Sequence, residues 1–155
     1  MPSENPAGVV YGIIVIGALM AAESGRDETY SETIGSAALT AALYWFLHAY
    51  AHVLGRRLAT RGRLTTRALS RALAEEWAIV RGAAIPLLAL IIAWVTQASR
   101  ETGVTVALWS AVVSLVLFEL VAGVRSRASS AELALEVGIG VAMAVAILAL
   151  RVVLH

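Results

Sequence analysis

Apolar residues in this chain arrive in blocks. Five stretches, at about 7–22, 34–54, 79–95, 104–123 and 133–154, run almost without charge, and the segments between them hold most of the arginines and carboxylates. About 20 apolar residues at 1.5 Å rise cover the hydrocarbon core of a bilayer, with roughly 17–25 as the working range. The first stretch is short for this task and implies an upright helix or a locally thinned bilayer. Each stretch is predicted to be a helix, because an isolated apolar span can satisfy its own backbone hydrogen bonds in lipid only in that form. The short alternating segments of a β-barrel are not seen. The expected fold is a single all-α membrane domain over residues 1–155 with five transmembrane helices.

The segment at about 64–78 follows a different rule. Leu69, Leu73 and Trp77 recur every four residues on one face, and Arg63, Arg67, Arg71 and Glu75 recur on another. This predicts an amphipathic helix between spans two and three. It either lies in the headgroup layer, with its arginines against anionic lipid, or extends span three beyond the membrane.

Composition agrees with lipid as the solvent. The chain is 59% hydrophobic and 15% charged, with a mean hydropathy of +0.79, whereas soluble domains run at about 45–50% apolar and 25% charged. A net charge of +1 gives no electrostatic reason to expect a nucleic-acid partner. The absence of cysteine excludes disulfides, thiol nucleophiles and thiolate metal sites. All 12 basic residues are arginine, which together with the alanine and valine content suggests a high-GC genome.

The placement of arginine predicts orientation. Arg56, Arg57, Arg61, Arg63, Arg67 and Arg71 lie between spans two and three, with Arg81 just inside span three, and Arg125 and Arg127 lie between spans four and five. The opposite side keeps Arg26, Arg100 and Arg151 and carries the acidic Asp27, Glu28 and Glu32. The positive-inside rule then expects a multi-pass protein of the bacterial inner membrane, amino terminus cytoplasmic and carboxyl terminus outside. The opening MPSENP brings Glu4 and no basic run, so the first span is read as retained instead of cleaved as a signal peptide.

Span two holds the most chemistry. Ser36, Thr40, Tyr44, His48, His52 and Arg56 follow at four-residue intervals. Such a row drifts by about 40° per step, so the six cannot share one face, although Tyr44, His48 and His52 can. Polar groups facing lipid are costly, so the row is expected to face other helices or a hydrated cavity. Histidine as a residue type titrates near pH 6.5, which suits a proton relay. The alternative is fixed interhelical hydrogen bonding, each contact contributing about 0.6–2 kcal/mol.

Depth adds further candidates. With this orientation His48, His52, Glu76, Arg81 and Glu119 fall near the inner-leaflet level, and Tyr11 lies near the cytoplasmic start of span one, so Tyr44, His48, His52, Glu76, Arg81 and Glu119 are the candidates for transport or proton relay. Glu119 lies among Leu117, Phe118, Leu120 and Val121 and needs either a proton or a partner there, for which Arg81, Arg125 or a histidine would serve. The alternative is that it snorkels to the interface or makes a fixed ion pair. Pro86 is expected to bend span three and to free the carbonyl of Gly82, which would then shape packing or meet water or a cation.

His48 and His52 are also the only weak candidates for a metal, and a third ligand would have to be Glu119 or Glu76. HAYAH lacks the general-base glutamate of the zincin motif. Bis-histidine haem is disfavoured because His155 falls at the opposite face. No catalytic motif and no cofactor are expected.

Ala134, Gly138, Ala142 and Ala146 repeat every four residues in span five, widened by Gly140 and Ala144. This small-residue seam predicts close helix packing, within the chain or against another copy, and a homo-oligomer surrounded by lipid is expected. The strings VYGIIVIGALMAAES, HAYAHVLGRRL, EEWAIVRGAAIPLLAL and LRVVLH resemble a group of small integral membrane proteins of high-GC actinobacteria. That resemblance covers most of the chain and implies a multi-pass membrane protein, with no activity attached. The leading functional expectation is a small oligomeric channel or transporter for protons or ions, the alternative a non-catalytic scaffold or accessory subunit of a larger complex. A membrane enzyme comes third.

Overall fold

Five of the six helices begin directly after a short polar side chain that closes their first turn. The computed structural model describes residues 5–23, 29–60, 65–125 and 129–154. The helices are α1 (Pro6–Glu23), α2 (Tyr30–Thr60), α3 (Thr66–Glu75), α4 (Trp77–Val95), α5 (Arg100–Arg125) and α6 (Ser130–Leu154), with no strand among the described residues. The Asn5 side chain accepts from Gly8 N–H, Thr65 from Ala68 N–H, and Ser99 from Thr102 N–H. Thr29 with Glu32 and Ser129 with Glu132 form reciprocal capping boxes, in which each glutamate accepts the cap residue's own N–H at 2.7 Å.

All five predicted spans are found as helices long and apolar enough to cross a membrane. The largest boundary difference is in α2, which starts at Tyr30 instead of residue 34 and continues to Thr60 instead of residue 54. The amphipathic segment forms α3, shorter than the predicted 64–78. It is not a continuous extension of span three, because Glu76 interrupts the helical run with φ −88° and ψ 7°. Instead α3 docks on α2, burying Ala72 against Ala49 and Val53, and its Leu73 carbonyl accepts from Trp45 Nε1 at 2.9 Å. Expectations that rested on Glu4, Arg26, Asp27, Glu28, Arg61, Arg63, Arg127 and His155 lie outside the described residues.

Of the five long helices α1 is the most buried and α6 the least. Helix α1 sits among the other four because its glycines let α4 approach backbone to backbone. A Cβ at Gly12 would collide with the Ile79 carbonyl and stand 2.7 Å from the Ala83 nitrogen, and one at Gly82 would collide with the Val9 carbonyl. The Gly8-x-x-x-Gly12 spacing is the sequence signal of this close contact.

The α6 row Ala134, Gly138, Ala142 and Ala146 is exposed, and nothing stands within 4 Å of a Cβ at Gly138. The neighbouring stripe, Gly140, Ala144 and Ile147, is the one that faces the bundle. Helix α4 runs unbroken through Pro86, which is buried.

Successive long helices alternate in direction. One end of the bundle gathers Asn5, the α3–α4 junction at Glu76, and the α5–α6 junction. At the other end the Tyr30 hydroxyl reaches the carbonyls of Ala98 and Ser99 at 3.1 and 2.8 Å, Arg100 donates to the Glu23 carbonyl at 3.2 Å, and Arg151 donates to Thr105 at 3.1 Å. Between the ends lies an apolar waist in which Ile13, Ile16, Met20, Leu90 and Leu108 are fully buried. Outward-facing Leu39, Leu43, Phe46 and Leu47 on α2, with Val145 and Val152 on α6, are exposed along the helices. Such a coat is costly in water and favourable in hydrocarbon. The fold is that of an all-α membrane protein.

Candidate functional site

The break at Glu76 creates the site. Its backbone N–H closes the C-terminal turn of α3 on the Ala72 carbonyl, and its side chain makes no cap bond to α4. The carboxylate is therefore free for partners outside its own segment. It stands at the first turn of α4, where the helix dipole favours an anion. Glu76 is only 4% exposed, and a buried carboxylate requires such partners.

Two helices supply them. From the start of α1, Asn5 Nδ2 donates to Glu76 Oε2 at 2.8 Å while the same side chain caps α1. From α2, His52 Nδ1 lies 3.1 Å from Glu76 Oε1, and His48 Nε2 lies 3.8 Å from Oε2, beyond hydrogen-bond length but within reach of an ion pair when the ring is protonated. One helical turn separates the two imidazoles, so both face the carboxylate from the same side of α2.

Aromatic rings complete the wall. Tyr44 stacks on His48 with ring centroids 5.9 Å apart and planes 25° apart, and Tyr11 of α1 lies 5.3 Å from His48 and 6.5 Å from Tyr44. One turn before His48 on α2, Trp45 meets Trp77 edge-on at 5.3 Å, which holds the α3–α4 junction beside the histidines. A cleft of about 360 Å³ opens on the group and is lined by Asn5, Tyr11, His48, His52 and Glu76 together with Ala7 and Ala51. The His48 and His52 side chains are 35% and 46% exposed, so the rings bridge the cleft and the buried carboxylate. In chemical terms the arrangement can pass a proton between imidazole and carboxylate, or hold a small cation against the carboxylate oxygens.

Tyr44, His48, His52 and Glu76 are thus brought together, but Arg81 and Glu119 are not. Arg81 is exposed on a different groove. Glu119 has no ion pair with Arg81, Arg125 or a histidine among the described residues, so the expected partners do not meet it. Its side chain instead lies over Gly140 of α6, where a Cβ would come within 2.8 Å of Glu119 Cγ. In return Glu136 of α6 lies over Gly123 of α5, where a Cβ would come within 2.6 Å of its Oε2. Position along the chain says nothing of rotation, and the rotation of α5 turns Glu119 toward α6 and away from the histidines.

Among the described residues no group of three histidine or acidic side chains is arranged to hold a metal ion. Asn5 was missed by the sequence reading, and its signal was the Asn-Pro pair directly before the first apolar block. Comparison with known protein families, with curated proteins and with solved structures gives no match. Function is accordingly argued from the chemistry of this site.

Proposed function

We propose that the chain is a small transport protein for protons or monovalent cations, working as a homo-oligomer, with Glu76, His48 and His52 taking up the ion at one mouth. One observation carries this reading: a carboxylate 4% exposed, with two imidazoles of a neighbouring helix turned toward it and a cleft leading to it. Structural ion pairs need no cleft, whereas an uptake site does. The arginine bias makes the Glu76 end the cytoplasmic one in a bacterial inner membrane. Among the described residues the apolar waist of a single copy offers no polar path, so the ion crosses between copies, for which the exposed small-residue row of α6 supplies a close-packing surface.

Purified protein in liposomes with an imposed pH gradient or potassium diffusion potential tests it. Flux through the parent protein is expected to exceed that of empty liposomes, and Glu76→Gln or His48→Ala is expected to lower it about tenfold or more. No flux in the parent removes the transport reading, and full flux in Glu76→Gln removes the assigned site.

A second reading, an accessory or scaffold subunit, is favoured by the same dry waist, since such a protein needs no path. Here the exposed α6 row would seat a partner helix, and recovery of the chain in a larger complex at fixed stoichiometry is its mark.

A further inference from the structure

A second groove opens at the Glu76 end, on the side of α1 away from the histidines. It has a volume of about 630 Å³, and its walls are apolar, from Val9 of α1, Ile85 of α4, and Phe118 and Val121 of α5. Two guanidinium groups stand at it, Arg81 from the second turn of α4 and Arg125 from the last turn of α5. Both residues are exposed, and among the described residues neither guanidinium group makes an ion pair or a hydrogen bond. The remaining polar margin is Asn5, which also borders the Glu76 cleft, and Glu136, whose Oε2 is buried without a hydrogen-bond partner.

Two unpaired arginines at the edge of an apolar groove have a definite chemical complement. Guanidinium donors match the geometry of phosphate oxygens, and two of them against one carboxylate leave the margin net positive. A free phosphate ester would use the arginines and gain nothing from the apolar wall. An acyl chain would use both. The arginines stand at helix ends, the level at which phospholipid headgroups meet the helices.

We propose that this groove binds one anionic phospholipid, its phosphodiester held by Arg81 and Arg125 and an acyl chain lying along Val9, Ile85, Phe118 and Val121. The site holds whether or not the chain moves ions. Glu136 is the opposing charge, and it limits affinity for the anionic headgroup.

Native mass spectrometry of the delipidated full chain, titrated with phosphatidylglycerol and separately with phosphatidylcholine, tests the site. One phosphatidylglycerol is expected to be retained about tenfold more tightly than phosphatidylcholine. The double variant Arg81→Gln/Arg125→Gln is expected to erase that preference, and Glu136→Gln to strengthen phosphatidylglycerol binding several-fold. Equal retention of the two lipids overturns the proposal, as does a preference that survives in the double variant. Should the double variant not fold, Glu136→Gln decides alone, since it keeps both guanidinium groups, and unchanged affinity there overturns the proposal. Inorganic phosphate competing as well as phosphatidylglycerol would show a phosphate site and not a lipid site. Cross-linking of Val121→Cys to a second protein chain in the native membrane would show a protein occupant, and either outcome removes the lipid.

Discussion

Gly12 of α1 rests on the Ile79 carbonyl of α4 with no room for a side chain between the two backbones. Gly12→Ala is therefore expected to push the helices apart and cost about 1–3 kcal/mol or more, read as a lower melting temperature in detergent. Gly82→Ala should behave alike, because its added methyl would meet the Val9 carbonyl. Gly35→Ala and Gly55→Ala in α2 supply the contrast. Nothing lies within 4 Å of a Cβ at either position, so they should raise stability by up to about 1 kcal/mol each through helix propensity alone. Equal effects at all four positions would contradict the glycine contact.

Asn5 both caps α1 and bonds Glu76, and two substitutions separate these roles. Asn5→Ser keeps a capping oxygen and loses the reach to Glu76, for an expected cost of about 1 kcal/mol. Asn5→Asp caps equally well but sets a second carboxylate where the amide stands 2.8 Å from Glu76 Oε2. Like charges so close raise the proton affinity of the pair in the folded state, so the penalty is present at neutral pH, shrinks as pH falls below that raised value and is gone below the ordinary carboxylate range near about 4. Thermal melts of the two variants across pH check this, and a constant gap between them would refute it.

Trp45 holds α3 to α2 through its indole N–H. Trp45→Phe keeps most of the ring packing on Trp77 and loses the bond to the Leu73 carbonyl, which should cost about 1 kcal/mol. The expected signature is local, with faster amide exchange in α3 and little change in α1 or α5.

Gln97 ends α4 in the left-handed region, with φ 58°. The Ala98 N–H reaches back to the Ala93 carbonyl and the Gln97 N–H to that of Trp94, both at 3.0 Å, which is the closure a glycine usually provides. Gln97→Gly should stabilise by about 1 kcal/mol, and Gln97→Val should destabilise by at least as much. Melting temperatures that fail to move in opposite directions would deny the strain.

Apolar blocks long enough to span a bilayer gave the helices away because hydrocarbon tolerates little else, and the polar row was legible because Tyr44, His48 and His52 share a face by spacing alone. Glu76 was named as a candidate but not as the centre of the site. Nothing between Ala74 and Trp77 announces a break, since no glycine or proline stands there, and the break is what directs the carboxylate toward α2. Glu119 shows the complementary failure, since position along a helix fixes depth, and only packing fixes which neighbour a side chain meets. In α6 two small-residue stripes, one through Gly138 and one through Gly140, are nearly equivalent in sequence, and the contacts with α5 and α1 decide between them.

The apolar waist of Ile13, Ile16, Met20, Leu90 and Leu108 makes the bundle a slab of low-dielectric insulator. Across an energised membrane the voltage drops mainly over such a layer, where carrying one charge through all of it takes about 2.3 kcal/mol per 100 mV. Glu76 stands at one edge of that layer. On the proposed transport reading, an ion arriving there from its own side would have crossed little of the field, so occupancy of the carboxylate should follow the local ion concentration while hardly sensing the membrane potential.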